Sequence, residues 1–261
     1  MKIINDIKQW QEIRNKLSPD LKIGFVPTMG CLHQGHASLI KNSVTQNDIT
    51  VLSIFVNPTQ FNDPSDYQHY PKTVDDDIEL ARQLNVDYVI TPDAEGMYPN
   101  GNQIQLITDH PFSTIMEGHY RPGHFNGVLT VVMKLLMLIR ATKIYFGEKD
   151  YQQYFLVNEL SKKYFVQTEI IPCSIVRESS GLPFSSRNKK LLPLERQLVE
   201  KFYEFFYISR PHSLTEIKEK MSELKIQYDY FEIHDDRLFF ALKIGSIRII
   251  DNFKEASHYV N

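Results

Sequence analysis

Two histidines stand three residues apart at the end of the segment Pro27-Thr28-Met29-Gly30-Cys31-Leu32-His33-Gln34-Gly35-His36. Gly30 and Gly35 let the main chain turn sharply and approach a ligand closely. A helix that opens after such a turn presents unpaired N–H groups and the positive end of its dipole, which together favour a phosphate. Both imidazoles can donate to phosphate oxygens. The plainer reading is a turn with two surface histidines. A metal pair is the other rival, but the chain has no His-Glu-x-x-His and no obvious third ligand. Strand, glycine-containing turn and helix occurring together favour phosphate.

Four further clusters carry candidate chemistry. Phe55-Val56-Asn57-Pro58-Thr59-Gln60-Phe61 sets two amides on a constrained turn, and Gln60 offers a donor and an acceptor to a hydroxy acid; by itself Asn-Pro is an ordinary turn. Gly147-Glu148-Lys149-Asp150-Tyr151-Gln152-Gln153 brings a lysine beside a glycine, suited to polyphosphate, with Gln153 in the helix that follows. A solvated charged cap is the alternative there. Ser185-Ser186-Arg187-Asn188, preceded by Val176-Arg177-Glu178, places hydroxyls beside a guanidinium as an anion clamp or a polar interdomain loop. Glu117 to Val128 holds the paired histidines His119 and His124, read as structural. The Asp75–Asp77 run reads as first-turn acids complementing a helix dipole, so no metal site is assigned to it.

These clusters must be positioned by a scaffold, and most of them follow strand-like runs. Ile23–Val26, Thr50–Val56, Val86–Ile90, Lys143–Phe146 and Thr168–Val176 read as strands. They alternate with helices at His36–Val44, Thr73–Leu84, Val128–Ile139 and Tyr151–Tyr164. Such alternation predicts an α/β fold, a Rossmann-like parallel sheet with helices on both faces and ligands at the carboxyl ends of the strands. The pattern changes near Arg177–Asn188. Beyond it come a helix from about Pro193, a second opened by Ser213-Leu214-Thr215-Glu216, and strands at Tyr228–Ile233 and Ile244–Ile250. The expected division is a catalytic domain over 1–177 and a smaller C-terminal α+β lid domain over 178–261.

Composition narrows the function classes. Hydrophobic residues at 42% and charged residues at 23% suffice for a packed core and exclude bulk disorder. With 29 basic and 32 acidic side chains the net charge is −3, which argues against a nucleic-acid partner. Cys31 and Cys173 do not form a secreted disulfide framework. The start, Met1 to Lys8, lacks a signal-peptide apolar stretch, and the most apolar run, Val128–Ile139, is too short to span a bilayer. The expectation is a cytoplasmic chain with no membrane partner.

The His-x-Gly-His element resembles the signature of the HIGH nucleotidyltransferase superfamily, and the chain has neither G-x-x-x-x-G-K-[ST] nor G-x-G-x-x-G. Six elements in order, PTMGCLHQGH, FVNPTQF, the Tyr70–Asp77 stretch, RPGHFNGVLTVVMKLL, YFGEKDYQQ and SSRN, make the chain similar to the pantoate–β-alanine ligase family over residues 24–188. The resemblance implies condensation of pantoate with β-alanine through a pantoyl-adenylate, with ATP as substrate, Mg²⁺ accompanying it, and a homodimer. It implies that His33, His36 and Lys149 are catalytic, with His36 as proton donor. ATP would be lined by Met29, Gly30, Cys31, Leu32, His33, Gln34, Gly35 and His36, by Gly147, Glu148, Lys149 and Asp150, by Val176, and by Phe184, Ser185, Ser186 and Arg187. Gln60 and Gln153 would hold pantoate, and Gln60 also β-alanine. Two amides suit an uncharged hydroxyl better than a second phosphate, which weighs against another HIGH-type enzyme with a phosphorylated substrate. Intact His33, His36, Lys149, Ser186 and Arg187 weigh against a nucleotide-binding regulator. The chain departs from the family at Ser180, usually Asp, and at Pro183-Phe184, usually Ala-Met. It is also shorter after residue 188 than the resemblance leads one to expect.

Overall fold

Apolar side chains alternate along the central strands, and this sorts them to opposite faces of one sheet. In the computed structural model, which describes residues 1–101, 104–206 and 213–254, Ile23 and Phe25 of β2 (Ile23–Thr28) pack into one apolar cluster and Val26 into another. Ile144 and Phe146 of β5 (Lys143–Gly147) likewise part from Tyr145. The first face is covered by the helices Ile7–Lys16, His124–Ile139 and Tyr151–Lys163, and the second by Gln34–Gln46 and Val74–Gln83.

The remaining strands are β1 (Lys2–Ile4), β3 (Ile49–Ile54), β4 (Tyr88–Ile90) and β6 (Glu169–Cys173). All six run parallel in the order β1-β4-β3-β2-β5-β6. The Rossmann-like parallel sheet with helices on both faces is as the sequence predicts. Chain direction across the sheet reverses between β2 and β5, which makes the carboxyl ends of those strands the topological switch point. Lys2–Ile4 and the helix Ile7–Lys16, with its fully buried Trp10, are additional to the predicted elements.

The chain divides into two compact units, Met1–Cys173 and Ser174–Asn261. In the second, the helices Pro193–Glu204 and Leu214–Glu223 pack with an antiparallel sheet of β7 (Gln227–His234), β8 (Arg237–Ile244) and β9 (Ile247–Lys254). Ser213 caps its helix as predicted, accepting from Glu216 N at 3.2 Å. The expected strand Ile244–Ile250 is instead the end of one strand and the start of the next. Gly245, at φ +57°, turns the chain between Ile244 and Ile247, which pair across the hairpin.

Arg177 anchors the start of this unit. Its guanidinium donates to Asp251 Oδ2 at 2.6 Å and Oδ1 at 3.1 Å, to Gly181 O at 3.1 Å and to Asn252 O at 3.2 Å. The Asp251 side chain has no solvent exposure. Breaking one partner of a buried pair leaves an uncompensated charge, at a cost of about 3–5 kcal/mol, whereas replacing both with apolar groups is often nearly neutral. Arg177→Met is therefore expected to lower the unfolding free energy from urea titration by that amount, and Arg177→Met with Asp251→Leu to recover most of it. Equal stabilities for wild type and the single variant would contradict this assignment.

Candidate active site

β2 ends at Thr28, whose hydroxyl donates to Ser53 O at 2.7 Å and accepts from Gly30 N at 3.2 Å. Gly30 (φ +81°) and Cys31 (φ +50°) then form a left-handed corner. Beneath it lies Asp77, 2% exposed, accepting from Cys31 N at 2.8 Å and Leu32 N at 2.7 Å. His33 caps the helix Gln34–Gln46, its Nδ1 accepting from Gly35 N at 3.2 Å. An Nδ1 that accepts carries no proton, so this cap leaves His33 neutral with its hydrogen on Nε2. Four amides of the loop, those of Gly30, Cys31, Leu32 and Gly35, are thus spent inside the chain.

The His33 and His36 rings lie 4.0 Å apart between centroids, tilted by 31°. His36 Nδ1 is sealed from solvent and, among the described residues, has no hydrogen-bond partner. Burial first, and then the positive charge of Lys149, push its pKa from 6.5 down to about 4. At neutral pH the His36 ring is therefore uncharged. Lys149 stands on the one-turn helix Glu148–Asp150 after β5, largely buried and paired with Asp150 at 3.3 Å. The switch point therefore brings the 29–36 loop and Lys149 together.

The amide turn after β3 joins them. Asn57 Oδ1 accepts from Tyr98 OH at 2.7 Å and from Thr59 Oγ1 at 3.0 Å. Asn57 Nδ2 donates to Gln60 Oε1 at 3.0 Å and to Gly127 O at 3.2 Å. Gln60 Nε2 reaches Met29 Sδ at 3.1 Å. The Gln60 carbonyl accepts from His124 Nδ1 at 2.9 Å and Arg121 at 3.2 Å, while Arg121 also meets His124 Nε2 at 3.1 Å. Arg121 can only donate, so His124 accepts at Nε2 and keeps its proton on Nδ1. Burial, followed by Arg121, pushes the His124 pKa down to about 3. Gly127 permits the contact of helix and turn, since a Cβ there would sit 2.2 Å from Thr59 O.

Gln153 lies in the first turn of the helix Tyr151–Lys163, half-buried, and its amide has no hydrogen-bond partner among the described residues. Its neighbour Gln152 is buried and structural, donating to Ile115 O at 2.9 Å and to Phe112 O and accepting from Glu117 N at 3.1 Å.

The other expected ligands belong to the second unit. Val176 O accepts from Phe184 N at 3.1 Å, and Ser185 caps the short helix Ser186–Lys190 by accepting from Arg187 N at 3.3 Å. Ser186 is buried and Arg187 half-buried. Among the described residues no three His, Cys, Asp or Glu side chains converge as a metal site.

Sequence reasoning passes over Asp77, Tyr98 and Arg121 as parts of this arrangement; Asn57 enters it only as one of two turn amides, and His124, read as structural, braces the Gln60 carbonyl. For Asp77 a signal exists. It lies one turn before Ala81, which is fully buried, so of the three consecutive aspartates it alone shares the inward face.

A family model described as pantoate-beta-alanine ligase matches residues 2–254. The chain belongs to the pantoate–β-alanine ligase family. A pantothenate synthetase of Legionella pneumophila is 48% identical over 253 residues, 97% of this chain and 99% of the relative. A Francisella tularensis relative is 45% identical over 97% of each chain. A crystal structure of pantoate-beta-alanine ligase from Francisella tularensis, complexed with beta-gamma ATP and beta-alanine, matches with a TM-score of 0.93 at 45% identity over 98% of both chains. Pantothenate synthetase from Thermus thermophilus gives 0.87 at 32% identity, covering 99% of this chain and all of that one. The expected shortening after residue 188 disappears against the Legionella relative, which this chain spans almost completely.

The two depressed histidines make stability depend on pH. Each binds its proton near 6.5 when unfolded but only near 4 (His36) or 3 (His124) when folded. Unfolding therefore takes up protons below about pH 6.5, and stability, complete above that value, is lost as pH falls toward those folded values. Each group contributes about 1.4 kcal/mol per pH unit within the window. Urea midpoints should be level above about pH 7 and decline from about pH 6.5 to 5. His124→Asn should make the decline markedly shallower; a slope identical to wild type would refute the assignment.

Proposed function

We propose that this chain condenses pantoate with β-alanine, using ATP, to give pantothenate, AMP and pyrophosphate. A pantoate carboxylate oxygen attacks the α-phosphorus, the bond to the β-phosphate bridging oxygen breaks, and pyrophosphate leaves. The amine of β-alanine then attacks the acyl carbon of the pantoyl-adenylate, loses a proton, and AMP departs as the amide forms. The observation that carries this reading is the gathering, at the switch point of a pantoate–β-alanine ligase family sheet, of two imidazoles and a lysine beside an anchored glutamine.

The first step builds charge on the phosphoryl oxygens, so catalysis consists of positioning and of donors aimed at that charge. His33, through Nε2–H, and His36 supply hydrogen bonds, and Lys149 supplies a full positive charge. Without substrate, burial and Lys149 hold the His36 pKa down to about 4; the negative charge of a bound triphosphate acts in the opposite direction, so His36 serves as hydrogen-bond or proton donor to the phosphoryl group. Met29–His36 and Gly147–Asp150 line the nucleotide in this reading. On chemistry alone Ser186 and Arg187 are offered as phosphate ligands, with Val176, Phe184 and Ser185 beside them. Gln60 and Gln153 hold pantoate. The Francisella complex with beta-gamma ATP and beta-alanine supports ATP and β-alanine as ligands here; Gln60 is the residue offered for β-alanine. Mg²⁺ would enter on the ATP phosphates, keeping several waters. The buried carboxylate under the loop does not compete for it, because both Asp77 oxygens are engaged by amides. A cytoplasmic homodimer completes the reading; no helix among the described residues is long and apolar enough to cross a membrane.

Exchange of pyrophosphate into ATP tests the reading. It should require pantoate and proceed without β-alanine. His36→Ala should slow it on the order of 100–1000-fold with an unchanged circular dichroism spectrum. Exchange that ran without pantoate, or only with an amino acid, would refute the assignment.

A further inference from the structure

We infer that Asp77 is a positioning residue of this reaction: its carboxylate holds the Gly30–Cys31 corner in the shape that places His33 and His36. The inference rests on the function proposed above and adds a residue to it.

The corner does not hold itself. Cys31 is a non-glycine residue at φ +50°, and left-handed backbone at such a residue persists only when its surroundings enforce it. Cys31 and Leu32 are both buried, so their N–H groups need partners inside the protein. Asp77 takes both, one on each carboxylate oxygen, at 2.8 and 2.7 Å. Gly30 is required by the same contact, since a Cβ there would lie 2.9 Å from Asp77 Oδ2. Thr73, the N-cap residue of the Asp77 helix, makes no side-chain cap bond; its hydroxyl donates instead to Asp77 Oδ1 at 3.2 Å. Three donors therefore converge on one buried carboxylate.

The corner is continuous with the chemistry on both sides. Leu32 precedes His33, whose ring caps the next helix and lies against His36. Met29, just before the corner, receives the Gln60 side chain. A shift of the corner moves the phosphate donors directly and the pantoate amide only through a thioether contact. A displacement of about 1 Å from a residue outside the chemistry can cost about 100-fold in rate.

The test uses Asp77→Asn, which keeps the size but turns one acceptor into a donor, together with Gly30→Ala, which leaves Asp77 intact and crowds the same contact. Both are expected to lower kcat for pantoate-dependent exchange about 100-fold and to raise KM for ATP. KM for pantoate should stay within about threefold, because Gln60 keeps its other anchors. Hydrogen exchange at the amides of Cys31 and Leu32, read by NMR without substrates, should be slow in the wild type and fast in Asp77→Asn. Wild-type kcat in either folded variant would overturn the proposal, as would retained amide protection in Asp77→Asn. So would restoration of Asp77→Asn activity by excess Mg²⁺, which would make Asp77 a metal ligand. If Asp77→Asn does not fold, Gly30→Ala alone decides. Absence of pantoate-dependent exchange in the wild type would refute the proposed function, while the amide measurement still reports on the corner.

Discussion

A carboxylate sealed under two main-chain amides is unfavourable to bury, yet it solves a problem that the β2 connection creates. The chain must leave the sheet at Thr28 and enter a helix at Gln34, and it does so through two successive left-handed residues. Such a corner turns N–H groups inward, where water cannot reach them. Asp77 satisfies two at once, and the charge it brings is stabilised by those same dipoles. This has a consequence for the ligand. In a P-loop the corresponding amides face phosphate, whereas here those of Cys31 and Leu32 face a carboxylate, so in the function proposed above the polyphosphate is met by His33, His36 and Lys149.

That transfer explains the electrostatics of the imidazoles. A ring that caps a helix through Nδ1 must stay unprotonated there, and a ring buried beside a lysine loses its affinity for a proton. His36 is held uncharged by the fold before any substrate is present. In the proposed reading each ring contributes one directed hydrogen to the phosphates. The full positive charge is left to Lys149, which is placed by a different strand.

Much of this is legible in the sequence, and the failures have physical causes. The β-branched run at 50–56 and the apolar Ile144–Phe146 mark strands because buried parallel strands are apolar on both faces. The switch-point loops stand out because glycine, histidine and lysine after a strand are chemically unusual. Asn57 looks like an ordinary Asn-Pro turn because its meaning lies in partners distant in sequence, Tyr98 and Gly127. Asp77 looks like a dipole complement because two more aspartates precede it; only the helical phase with Ala81 separates them. The strand Arg237–Ile244 escapes the sequence pattern because its entry turn is Asp235-Asp236, both at positive φ, rather than a glycine pair. Its exit turn, Gly245-Ser246, sits inside an apolar run that reads as continuous strand.

The two amides proposed to hold pantoate are built in opposite ways. Gln60 is fixed at its carbonyl by His124 and Arg121, at its Oε1 by Asn57, and at its Nε2 by Met29. Asn57 is itself held by Tyr98, whose ring lies under Lys134 at 4.7 Å. Gln153 has none of these ties. Orienting a rigid amide costs little on binding, because its freedom was lost on folding, whereas an unpartnered one must be ordered by the ligand. In the proposed reading a hydroxy acid is therefore registered first against Gln60, whose contact with Met29 links it to the Asp77-held corner. On the same reading Gln153 is ordered by the ligand, and the alignment of carboxylate and phosphorus is set from the Gln60 side, through one short path of main chain between Met29 and His33.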